Sequence, residues 1–135
     1  MTLHTRPPWP DRGSEIVETA VLIGIALVLL LSVVQAGLWW HTRSLCLHAA
    51  TTGLTATRAL HAPPGAGQRA AADFLHRAPN AATDPTITVN ATPETATVRV
   101  TASAPRVLPI PGLQFRVTQS AHGARERFTT PGGTP

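Results

Sequence analysis

The chain has 135 residues and a formal charge of +4, with 43% hydrophobic, 13% charged and 4% aromatic residues. That length holds one small domain. With so few charges, and the strongest apolar residues crowded into one early block, a soluble enzyme with a deep core is nearly excluded. The one cysteine excludes an intramolecular disulfide and a Cys-rich zinc site. All eleven basic residues are Arg, scattered from Arg6 to Arg127 without a run or stripe. Nucleic-acid modules cluster their cations and interleave them with aromatics, so no nucleic-acid partner is expected.

The chain opens with a short polar leader, MTLHTRPPWPDRG, carrying Arg6 and Arg12. From Thr19 to Thr42 there is no Asp, Glu, Lys or Arg. As a helix this stretch reaches about 36 Å, enough for a hydrocarbon core of about 30 Å. Trp39 and Trp40 stand where an interfacial aromatic belt belongs, followed by His41 and Arg43. A buried soluble helix is the alternative, but so small a domain could not cover all its sides. Gly24, Ser32 and Gly37 give a side of small residues without a strict GxxxG. The basic leader favours a cytoplasmic N-terminus and an exported C-terminal part, although Arg43 weakens the contrast.

At the mouth of the apolar run lies the junction DRGSEIVETA, with Glu15 and Glu18. A signal peptide keeps its apolar region free of acids. Helix capping, with Ser14 as N-cap and Glu15 in the first turn, accounts for part of this pattern. It accounts less well for Glu18, which begins the bilayer stretch. An unpaired acid there costs about 3 kcal/mol at mid-helix depth and less near the interface.

These residues resemble a prepilin junction, with a short basic leader ending in Gly13, Ser14 as the first mature residue and Glu18 as the fifth. More closely, RGSEIVETAVLI resembles the start of TadE-like proteins, minor pseudopilins of the tight-adherence (Flp) pilus system. The later VRVTASAP stretch, the Pro-Gly-Leu turn and the RERF tail resemble the actinobacterial versions of that family more loosely. The helix end, Gly37-Leu38-Trp39-Trp40, departs from the less aromatic, charged continuation of many relatives. The resemblance implies cleavage after Gly13 by a prepilin peptidase, with other pilins or pseudopilins and an assembly platform as partners, beside the lipid bilayer. Cutting there exposes an α-amine on Ser14 with an ordinary pKa near 8, hence largely cationic at neutral pH. Glu18 of a neighbouring helix can pair with it, and Glu15 is the second, more superficial acid.

Past Trp40 no breaker intervenes before Pro63-Pro64, so one helix from about Ser14 to His61 is expected. The alternative is a kink near Gly53, because Gly costs a helix about 1 kcal/mol. A short helix follows over Gln68–Arg77, with Ala71, Phe74 and Leu75 on its apolar side. Alternation predicts a hairpin of Thr86–Ala91 with Thr95–Ala102, placing Ile87, Val89, Val98 and Val100 on one face. A third strand is expected over Leu113–Ser120, and a disordered tail from His122.

The expected fold is therefore α+β: a long N-terminal membrane-spanning helix, a short helix and a small antiparallel sheet of about three strands. Its parts are a leader (1–13), the long helix (14–62, spanning at about 19–40), an exported domain (63–121) and the tail (122–135).

No catalytic constellation is legible. The six His form no HExxH, and Asp73, Asp84 and Glu94 fall on different elements. No enzyme activity, cofactor or metal is expected. His41 and His48, seven apart, could share a helix face. Cys46 reads as a buried thiol, or as one available for an intermolecular disulfide. Two other functions stay open. One is a secreted binding protein released after Ala36, where Val34-Gln35-Ala36 fits ordinary signal peptidase. The other is an unprocessed single-pass protein.

Overall fold

The computed structural model describes residues 12–108 and 110–125. Its first element, α1 (Arg12–Arg58), is one continuous helix, about 70 Å long at 1.5 Å per residue. It ends three residues before the expected His61, in a turn where His61 itself adopts a left-handed conformation. Gly53 causes no break. A side chain there would meet the Gly67 carbonyl, Ala71 and Val98, so its bareness serves close packing.

The neighbour that needs this space is α2 (Ala66–His76). It is entered through Pro63-Pro64 and Gly65, whose φ of 76° lies in the region that favours glycine. At the crossing Gly53 faces Gly67, with Ala49, Ala50 and Ala71 buried around them. Thr57 keeps its buried hydroxyl satisfied by donating to the Gly53 carbonyl at 2.8 Å. The short helix begins earlier and ends one residue sooner than the sequence predicts, and Gly67, Ala71 and Leu75 are its buried residues, with Phe74 half-buried.

A meander of three antiparallel strands covers the same region of α1: β1 (Thr83–Ala91), β2 (Thr95–Ser103) and β3 (Arg116–Ala124), in that spatial order. The predicted hairpin forms with its four apolar residues on one face, Ile87 opposite Val100 and Val89 opposite Val98. The central strand turns Ala96, Val98, Val100 and Ala102 into the core. The third strand starts three residues later than expected, leaving Phe115 outside it, and runs on to Ala124. The expected tail is thus corrected at residues 122–124, which are strand; residues 126–135 lie outside the described residues. The correction has a packing cause. Val117, Ala121 and Gly123 stand opposite Ala102, Val98 and Ala96, and small residues suit a strand under a helix despite weak strand propensity. Arg58, at the end of α1, donates from Nε to the Ala124 carbonyl and lies against Gly123.

Candidate functional site

The feature on which function turns is α1, because its two halves have opposite surroundings. From Ile16 to Leu30 every large apolar side chain is more than half exposed. Gly13, Gly24 and Gly37 all face open space where a side chain would stand. This uncovered part, residues 13–34, is about 33 Å long. The helix as a whole is long and apolar enough to cross a membrane, by length and composition.

Cover begins abruptly at Gln35, which is 3% exposed. Its Nε2 donates to the Pro105 carbonyl at 3.0 Å, and its Oε1 accepts from the Val107 N–H at 2.8 Å. Both ends of one amide therefore hold the backbone of the β2–β3 connection. Two turns on, the buried Thr42 hydroxyl lies 2.7 Å from the Ala81 carbonyl and 3.0 Å from that of Leu38. From there Cys46, Ala49, Ala50 and Leu54 enter the core. The stretch expected to span the membrane, about 19–40, is thus divided: Gln35 onward belongs to the packed part. The boundary between the uncovered stretch and the packed head falls inside α1.

Gly13 and Ser14 are helical and exposed. Since α1 already includes Arg12, Ser14 lies within the first turn, and the N-cap role considered for it is corrected. Glu15 and Glu18 follow three residues apart, both exposed and separated by about 60° around the helix. Residues Met1–Asp11 of the expected leader lie outside the described residues. At the other end of the uncovered half, Trp40 is 63% exposed and stacks with Arg43, whose guanidinium carbon is 5.4 Å from the ring centre. Trp39 turns differently: with Ser32, Gln35, Ala36, Leu108 and Phe115 it lines an apolar groove beside the β2–β3 connection.

His41 and His48 are both exposed, and the His48 ring lies 6.4 Å, centre to centre, from that of Phe74. Cys46 is fully buried, and desolvation pushes its thiol above the ordinary value. That burial removes it from reach of a second chain. Among the described residues no group of three His, Cys, Asp or Glu converges as a metal site would require. Sequence reasoning missed Gln35 and its loop. The available signal was a lone carboxamide inside an apolar run, which needs a partner wherever water is excluded.

Residues 13–54 match the family model described as TadE-like protein. No curated protein and no solved structure matches the chain. The matched segment takes in the uncovered half of α1 and most of the packed half, and leaves the sheet outside it. The resemblance read from the junction is therefore shared by the helix, and an apolar α1 of this kind fits a single-pass membrane anchor associated with a tight-adherence pilus.

Proposed function

We propose that this protein is a minor pseudopilin of a tight-adherence pilus or a related secretion machine, trimmed by a prepilin peptidase. Its N-terminus is cytoplasmic and its α+β head extracytoplasmic. The observation that carries this reading is the uncovered apolar half of α1, headed by Gly13 and by Glu18 at prepilin spacing, within the segment matching the TadE-like family. The Gly13–Ser14 bond lies in the first turn of α1, where helices fray at little cost, so a peptidase need unwind only the helix end. The freed Ser14 amine then pairs with Glu18 of an adjacent subunit, while Glu15 remains nearer water. A related pilin, the peptidase and an assembly platform are the partners.

Release after Ala36 is disfavoured by Gln35. Cutting there would take away the side chain that clamps Pro105 and Val107.

The test combines processing with assembly. Mass spectrometry of the membrane-extracted protein should show Ser14 as the first residue. Glu18→Gln should still be cut but fail to co-purify with partner pilins, because losing one member of a buried charge pair costs about 3–5 kcal/mol. Glu15→Gln should assemble. Equal behaviour of the two variants would reduce Glu18 to a first-turn helix acid, and an intact leader in a host with an active peptidase would overturn the processing step.

A further inference from the structure

We propose that the β2–β3 connection is a second membrane contact: Val107, Ile110 and Leu113 enter the outer boundary of the bilayer beside α1 and fix the depth and tilt of the head. The inference rests on the reading of α1 as a membrane anchor and goes beyond it. The uncovered part of α1 measures about 33 Å, close to the hydrocarbon thickness of about 30 Å, so Gln35 falls at the boundary between acyl chains and headgroups. The Gln35 carboxamide holds Pro105 and Val107 directly, which brings the connection to that same depth.

What the connection carries there is apolar. Val107, Ile110 and Leu113 are 37%, 47% and 42% exposed, large apolar side chains on the connection of a head whose buried core is built mostly of alanines and valines with Cys46, Leu54 and Leu75. Val107 and Ile110 line one surface hollow with Leu108 and Pro111, and contiguous exposed apolar groups mark a contact site. Beside it, Trp39 and Leu108 line the groove against α1, and Trp40 points outward at belt position. The charges agree. Arg106, between the two clamped residues, is exposed, as are Arg43 and Arg116. Residues 104–116 and 35–58 contain no acid; Asp84 shares a cleft with Arg106 and Arg116. A cationic collar above apolar side chains suits a surface bearing anionic headgroups, with the Arg stems lying along the apolar boundary.

Depth-dependent quenching tests this on the full chain. In a Cys46→Ala background, an environment-sensitive fluorophore is attached at Ile110→Cys or, independently, at Leu113→Cys. The protein is reconstituted into phosphatidylcholine–phosphatidylglycerol vesicles containing nitroxide-labelled lipid. Leu27→Cys marks the anchor and Gln68→Cys the far end of the head. The expected result is blue-shifted emission at 110 and 113, quenched by shallow nitroxides, with deep quenching at 27 and none at 68. Quenching at 27 with 110 and 113 behaving like 68 overturns the proposal and leaves the anchor intact. Blue-shifted but unquenched emission at both loop sites also overturns it, since a second copy of the chain would then cover the loop. An unquenched probe at 27 overturns the anchor reading, and this inference with it.

Discussion

Two halves of one helix have opposite surroundings. Residues 13–34 of α1 carry Ile, Val and Leu all round and are largely uncovered, whereas residues 35–58 carry Ala, Thr, Gly and Cys on one face and are packed there by α2 and the sheet. The more hydrophobic half is the bare one. Large side chains on every face suit a helix whose surroundings are apolar on all sides. A helix that must admit a second helix and a sheet at close range needs small residues along the contact, as at Gly53 and Gly67. Hydrophobicity and burial in this protein thus run in opposite directions along a single element.

Paired truncations break that comparison most sharply. Leu54→Ala, in the head core, should lower stability by about 2–5 kcal/mol, whereas Leu27→Ala in the uncovered half should leave the unfolding midpoint of the head unchanged. Thermal unfolding of the full chain in detergent, followed by near-ultraviolet circular dichroism, measures both. Similar losses from the two would mean that the halves are not distinct.

Space at the helix crossing gives the next effect. A Cβ at Gly67 would collide with the Thr57 hydroxyl and the Gly53 carbonyl, so Gly67→Val should cost about 1–3 kcal/mol through overpacking. Gly24→Ala, with open space around it, should instead be tolerated, since alanine favours the helix by about 1 kcal/mol. Denaturant titration separates these opposite signs.

Gln35 marks the border, and Gln35→Leu should cost about 1 kcal/mol by unpairing the Pro105 carbonyl and the Val107 N–H. Amide exchange at Val107 should speed up while exchange in β2 stays slow. Unchanged protection at Val107 would show that the clamp does not hold the loop.

The smallest effect is at Cys46. Its thiol is raised by burial, so the folded state keeps the proton longer than the unfolded state does. The associated stability is fully present below the ordinary thiol value of about 8.5 and is lost as pH rises through the folded value. Alkylation at neutral pH should be slow until the head unfolds, and Cys46→Ala should remove the cysteine's share of the alkaline loss of stability.

The sequence was most legible where one physical requirement dominated. A charge-free apolar run can only be long, helical and unsuited to water, and alternation at 86–91 and 95–102 fixes which hairpin residues share a face. The limits of β3 were less legible, because Ala121, His122 and Gly123 have little strand propensity and pair only because β2 and α1 leave that space. The packed face of α1 was hidden for a related reason. A search for large apolar residues finds Leu45, Leu47, Leu54 and Leu60, of which Leu47 and Leu60 are exposed, while the buried face is marked by Thr42, Cys46, Ala49, Ala50, Gly53 and Thr57.

By itself, then, the sequence determined that a long apolar helix precedes a small sheet, and that Gly13, Ser14 and Glu18 stand at the head of that helix, because hydropathy, periodicity and spacing are local properties of a chain. Only the tertiary structure decided where the uncovered stretch of α1 stops. That border is drawn by two hydrogen bonds from Gln35 to residues seventy and seventy-two positions away, and no local pattern carries the cost of leaving such an amide unpaired or the identity of the loop that satisfies it.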